Sequence, residues 1–300
     1  MPLRSRRAAP RWAPEPPVEL PPGRAVHVPG RGELFVRDSG GDGPPVLLLH
    51  GWTASADLNW FAQYDALAAA GLRVIALDHR GHGRGLRTYA DFRLADCADD
   101  AVALVEHLGT GPVVAAGYSM GGPIALLAAR RHPAAVRGVV LCATSSNWRS
   151  PRLRGLWWSM SWLRLWLGLA PYGVWRGGLR LAGLADGSTA TWMASELTRG
   201  SSRDIAEAGR ELGRFDARPW LGEIRQPAAV VLTREDRAVP PRWQRELAAG
   251  LGARVFESPG DHFAAGEEPE GFNAALLAAL EHVTAATAAP EGVRPLGAPN

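Results

Sequence analysis

Eight short apolar runs punctuate the chain: Val26 to Val28, Leu34 to Arg37, Val46 to His50, Arg73 to Asp78, Val113 to Tyr118, Val136 to Leu141, Ala228 to Thr233 and Arg254 to Ser258. Val113 to Ala116 is apolar at every position, without alternation, as in a strand covered on both faces. Ala/Leu-rich helical stretches separate most of the later runs. The alternation predicts an α/β fold, a mostly parallel sheet with helices on both faces. In such sheets ligands bind beyond the carboxyl ends of the strands, so the loops after those strands are where chemistry is expected.

The alternation breaks between residues 145 and 214, a stretch that holds seven of the twelve tryptophans. Written as a helix, Leu156 to Leu169 leaves, besides Ser159, only a narrow polar stripe of Ser161, Arg164 and Gly168. A membrane span needs ~20 apolar residues, and Arg164 and Pro171 interrupt the run. An inserted helical cap over the strand ends, residues 145–214, fits the position better. The core is then expected at residues 24–144 and 215–285. The Pro/Arg-rich residues 1–23 read as a disordered arm and 286–300 as a flexible tail.

Composition narrows the function classes. The net charge is +3, and every basic residue is Arg, spread along the chain with no aromatic-interleaved basic stretch. No nucleic-acid partner is therefore expected. Cys97 and Cys142 are too few for a disulfide framework, and no Cys-x-x-Cys or His-x-x-x-His spacing points to a metal. Buried thiols and no cofactor are expected. The basic N-terminus lacks the apolar segment of a secretory signal, which predicts a cytoplasmic protein.

The chemistry-bearing motif is Gly117-Tyr118-Ser119-Met120-Gly121, set between the Val113 strand and a helical run that begins near Pro123. A strand that reverses into a helix so quickly cramps the backbone, and glycines on either side of the serine remove the Cβ atoms that would collide. The serine hydroxyl then stands above the sheet edge beside the positive end of the following helix. Such a nucleophile needs a base, an acid and oxyanion donors. His262, beyond the last strand, is the candidate base, preferred over His50, which sits at a strand end. Asp236, in the turn after the Ala228 strand, is the candidate acid, with Glu235 and Asp261 as rivals. Backbone N–H groups of Trp52, in "HGW", and Met120, after the serine, are the candidate oxyanion hole.

The order Ser119, Asp236, His262, with "HGW", "DHRGHGRG", "GYSMGG", "REDRAVP" and "GDHF", resembles the α/β-hydrolase superfamily, in its cap-bearing serine-hydrolase branch of esterases and monoacylglycerol-lipase-like enzymes. The resemblance spans residues 24 to 285. It implies an eight-stranded sheet and a scaffold role for His79 and His82. Three positions depart from common family usage: Thr233 where Gly is frequent, Gly85 where Ser is frequent, and Asp261 where Gly is frequent.

Together these readings lead to a serine hydrolase acting on a small apolar acyl ester through an acyl-enzyme. Carbon-carbon bond hydrolysis or a hydroxynitrile-lyase-like reaction on the same triad is the alternative, with a non-catalytic ligand-binding protein the third reading. The Trp-rich cap is expected to line an acyl site through Trp158 and Trp162. A peripheral contact with membrane or lipid through the cap is a further expectation.

Overall fold

The protein is described from a computed structural model, which covers residues 14–184 and 187–288. Its sheet has eight strands: β1 (Gly23–Val28), β2 (Gly32–Asp38), β3 (Pro45–Leu49), β4 (Arg73–Leu77), β5 (Val113–Tyr118), β6 (Val136–Cys142), β7 (Ala228–Thr233) and β8 (Arg254–Ser258). Their spatial order is β1-β2-β4-β3-β5-β6-β7-β8. The β1/β2 and β2/β4 pairs are antiparallel and all others parallel. All eight expected runs are strands, with ends shifted by a few residues at most.

Side-chain alternation along the central strands divides the interior into two cores. Leu47, Leu49, Ala115, Val230 and Leu232 face one side, packing with α3 (Leu94–His107), α4 (Gly121–Arg131) and α10 (Pro241–Leu251). Val46, Leu48, Val114, Ala116, Ala229 and Val231 face the other, packing with α1 (Ala56–Trp60), α2 (Tyr64–Ala69) and α12 (Pro269–Ala288). Both faces are buried, which is why these strands read as unbroken apolar runs.

Among the described residues, five α-helices lie between β6 and β7: α5 (Pro151–Trp158), α6 (Met160–Leu169), α7 (Pro171–Leu181), α8 (Ser188–Thr198) and α9 (Ser202–Leu212), followed by a 3-10 turn at Leu221–Glu223. An isolated antiparallel bridge, Asn147 with Asp216, pinches the insertion at its base. The helix expected over Leu156 to Leu169 is divided at Ser159, whose hydroxyl donates to the Leu156 carbonyl at 2.8 Å. Pro171 opens α7 at its first turn, where a missing N–H is harmless. Among the described residues, no helix is long and apolar enough to cross a membrane.

Within the stretch expected to be a disordered arm, Leu20 packs on the second core and the Pro21 carbonyl accepts a hydrogen bond from Arg37. The last helix, α12, continues to Ala288, past the expected start of the tail at residue 286. The rest of both expectations falls on residues 1–13 and 289–300, outside the described residues.

Candidate active site

The strand registers explain why distant residues meet. Leu49 pairs with Gly117, Tyr118 with Cys142, Cys142 with Val231, and Thr233 with Ser258, so β3, β5, β6, β7 and β8 end near one edge. Ser119 follows β5 directly. Its φ of 51° lies in the left-handed region that non-glycine residues rarely occupy. Three backbone bonds hold it there: Ser119 N–H donates to Cys142 O at 2.9 Å, while Ser119 O accepts from Gly122 N–H and from Thr144 Oγ1. The flanking glycines are steric necessities. A Cβ on Gly117 would stand 2.2 Å from Gly121 O, and one on Gly121 would stand 2.0 Å from Leu49 O.

His262 Nε2 is 3.1 Å from Ser119 Oγ, and its Nδ1 is 2.7 Å from Asp236 Oδ2. A carboxylate at Nδ1 holds the proton on that nitrogen and leaves the Nε2 lone pair for the serine hydroxyl. The carboxylate is itself fixed. Oδ1 accepts from the N–H groups of Ala238 at 2.9 Å and Val239 at 2.7 Å, and Oδ2 accepts from Thr233 Oγ1 at 2.9 Å. Gln244 Nε2 donates to Thr233 Oγ1 at 3.0 Å and completes the cradle. Thr233, noted as a departure from family usage, thus adds a hydrogen bond to the acid. The rival carboxylates do other things: Glu235 is exposed, and Asp261 accepts from the Phe263 N–H at 2.7 Å.

Tyr118 is a residue that sequence reasoning passed over. Its hydroxyl donates to the His262 carbonyl at 2.8 Å, so the residue beside Ser119 anchors His262. The position between the first Gly and the Ser is free in the motif, and only the tertiary approach of the β8 loop reveals the bond.

Across the cleft, Gly51 approaches the Ser119 Cβ closely enough that an added Cβ would lie 3.3 Å away. The Gly51 N–H donates to Asn59 Oδ1 at 2.7 Å, which fixes the loop leading to Trp52. Neither the Trp52 nor the Met120 amide donates to another backbone atom among the described residues. Met120 follows Ser119 directly, Trp52 lines the same cavity as Ser119, and Met120 is the N-cap of α4, whose dipole favours negative charge there. The Trp52 side chain leads away from the cleft: its indole N–H donates to Ile205 O on α9 at 2.8 Å, and its ring meets Trp157 edge-on at 5.7 Å.

The other buried histidines are held as scaffold. His50 Nε2 accepts the His79 N–H at 2.9 Å, so its proton sits on Nδ1 and is donated to Gly51 O at 2.8 Å. Burial drives His50 well below the usual imidazole range, His79 down to about 3 and His82 down to about 4. Beside them burial pushes Asp78 up to about 6, although it accepts the Ala56 and Arg84 N–H groups. Gly85 is constrained where relatives often carry Ser, since a Cβ would stand 2.2 Å from His79 O. Arg84 reaches Asp57 at 3.1 Å and Glu196 of α8 at 3.0 Å, pinning that helix to the body.

A cavity of about 290 Å³ opens at Ser119 and His262. Its walls are mostly apolar and include Leu58 and Phe61, Trp175 and Leu179 of α7, and Met193 and Leu197 of α8. Glu267 is its one lining carboxylate among the described residues, raised by burial and by the neighbouring acids Asp261 and Glu268. The cap residues expected here, Trp158 and Trp162, are not among its lining. They project from the outer surface, 82% and 65% exposed. The buried side of α6 is the one bearing Met160 and Leu167, which turns Trp162 outward, and Trp175 occupies the place expected for them.

Known proteins agree with this architecture. Residues 44–269 match the alpha/beta hydrolase fold family. A non-heme haloperoxidase of Rhodococcus erythropolis is 31% identical over 269 residues, covering 83% of this chain and 96% of that one. Among solved structures, the enol-lactonase from Burkholderia xenovorans superposes with a TM-score of 0.74 at 22% identity, over 86% of this chain and all of that one. A thermophilic esterase from Thermogutta terrifontis superposes with a TM-score of 0.73 at 23% identity, over 87% and 99% of the two chains. The family match and the near full-length haloperoxidase relative carry one conclusion: the chain belongs to the α/β-hydrolase family.

Proposed function

We propose that the protein is a serine hydrolase that cleaves carboxylic esters with apolar acyl groups through an acyl-enzyme. The observation that carries this reading is the Ser119–His262–Asp236 hydrogen-bond chain at the mouth of a largely apolar cavity. Ser119 Oγ attacks the ester carbonyl while His262 Nε2 takes its proton. Asp236 stabilises the imidazolium, and the Trp52 and Met120 amides receive the oxyanion. His262 then protonates the leaving alkoxide. Water, activated by the same nitrogen, releases the acid and restores the serine.

The cavity is at the small end of ligand sites, which run from about 300 Å³ upward, and so suits short to medium acyl chains. Each methylene desolvated there contributes ~0.8 kcal/mol, so four of them favour hexanoate over acetate by about two hundredfold. The scarcity of polar lining groups counts against a carbon-carbon hydrolase, whose charged or hydroxylated substrates would lack partners. A fluorophosphonate probe is expected to label Ser119 alone, and Ser119→Ala to lose hydrolysis by several orders of magnitude while remaining folded. Labelling mapped to a different serine, or a flat profile from acetate to octanoate esters, overturns the reading.

A further inference from the structure

The segment from Trp148 to Leu184 contains six arginines and no acidic residue. The whole chain carries +3, so the remaining residues together carry −3, and the positive charge is concentrated on this part of the insertion. Its helices are also poorly covered. Among the described residues α6 buries only Met160 and Leu167, and α7 buries none. Trp162, Leu165, Trp166 and Leu169 recur at helical spacing on the outward side of α6, opposite its buried face, with Trp158 extending the stripe on α5. Trp166 is 54% and Leu169 69% exposed. Core packing therefore accounts for one apolar face of α6 and leaves a second to solvent.

Charge and aromatic surface lie together. Arg154, one turn before Trp158 on α5, and Arg180 on α7 are exposed and have no acidic partner among the described residues. Next to Trp158, a second cavity of about 300 Å³ is lined by Arg149, Arg154, Arg210 and Arg214 and by no carboxylate. Arg210 donates to Ser161 Oγ at 2.7 Å, which holds its guanidinium at the rim. Four arginines lining a concave site beside the exposed Trp158 suit an anionic phosphate at the level where tryptophans sit between water and acyl chains.

We propose that the outer face of α5–α7 docks on the surface of an anionic phospholipid bilayer, with a lipid phosphate in the arginine-lined cavity and Trp158, Trp162 and Trp166 in the interfacial layer. Helix α7 connects the two sites. It carries Trp175 and Leu179 in the wall of the catalytic cavity and Arg180 and Leu181 on the outer surface. Docking would place the catalytic mouth near lipophilic esters dissolved in the bilayer, a substrate source that rests on the ester-hydrolase reading. The docking itself does not.

The test is flotation of the full chain with vesicles of phosphatidylcholine, with and without phosphatidylglycerol, at low and high salt. Wild type and Ser119→Ala are expected to float equally with the anionic vesicles and to detach from them as salt screens the charge. Arg154→Gln/Arg180→Gln should weaken binding about 25-fold at low salt, about fivefold per arginine. Trp166→Ser/Leu169→Ser should abolish binding. Both variants should keep wild-type kcat/KM on a water-soluble butyrate ester, which shows that they are folded. Wild type that stays unbound, or that binds neutral vesicles equally well without salt dependence, overturns the proposal. So does a dimer by light scattering that Trp166→Ser/Leu169→Ser dissociates in a chain that never floats, since a second copy would then be the occupant. Loss of hydrolysis in Ser119→Ala is read separately, so failure of docking and failure of the catalytic reading are distinct results.

Discussion

Replacing Asp236 by Asn tests the catalytic geometry most sharply, because the side chain is held so that its two oxygens are not equivalent. Oδ1 accepts two backbone N–H groups, from Ala238 and Val239, while Oδ2 faces His262 Nδ1 and the Thr233 hydroxyl. The asparagine that keeps both backbone bonds must put its oxygen at the Oδ1 position and its NH2 toward His262. An amide donor there meets the Nδ1 lone pair and forces the imidazole proton onto Nε2. That nitrogen can no longer accept from Ser119. Flipping the amide would restore the acceptor but would leave two backbone N–H groups facing an NH2, costing about 1–3 kcal/mol each. The flipped form therefore rescues little. The loss in kcat/KM at neutral pH is expected to be about 10⁴-fold, equivalent to ~5.5 kcal/mol of transition-state stabilisation. Asp236→Ala, which leaves His262 free to adopt either tautomer, should be no worse than the isosteric Asn. The assay is hydrolysis of a butyrate ester across pH, with urea denaturation confirming the fold. Asp236→Asn retaining more than about a tenth of wild-type kcat/KM would refute the tautomer argument.

Three further outcomes follow from other parts of the molecule. His50, His79 and His82 are neutral in the folded state and protonate near 6.5 when unfolded, so stability should fall as pH drops below 6.5 and until the folded values, about 3 for His79 and about 4 for His82, are passed. Each contributes about 1.4 kcal/mol per pH unit in that window, and His79→Phe should remove one share of the slope in urea titrations at graded pH. Gly121→Ala drives a Cβ into the Leu49 carbonyl and should destabilise the fold by more than about 3 kcal/mol or prevent soluble expression; a stable, active variant contradicts the elbow packing. Leu179→Trp should fill the apolar cavity and reduce the octanoate-to-acetate ratio of kcat/KM at least tenfold, and an unchanged ratio places the acyl chain elsewhere.

The central sheet was legible because its strands are buried on both sides, which leaves runs such as Val113 to Ala116 no polar positions to blur them. The same burial makes strand ends visible, so Ser119, Asp236 and His262 could be placed on the loops after β5, β7 and β8, and the structure brings all three within hydrogen-bonding reach. The insertion was less readable. A helix apolar on two faces does not announce which face is inward, and α6 turned the tryptophans expected in the cavity toward solvent. Trp175, in the Arg- and Gly-rich α7, gave no comparable signal. The supports from Thr233, Gln244 and Tyr118 depend on side chains converging from separate elements, a property of packing with no local pattern in the chain.

Trp52 has a consequence for anyone who would recombine this protein with its relatives. It lines the cavity together with Ser119 while its indole is fastened to Ile205, and Gly209 leaves a notch that a methyl group would close, since a Cβ there would stand 2.9 Å from the indole. The loop after β3 and helix α9 are therefore a matched pair. An insertion grafted from another hydrolase, joined cleanly at Asn147 and Asp216, would bring neither the carbonyl nor the notch, and the Trp52 loop would lose its brace. Chimeras that exchange the five helices alone should fold yet turn over poorly, whereas those that carry Trp52 with its Ile205 and Gly209 partners should work. The interchangeable module in this enzyme runs through the active site instead of stopping at its edge.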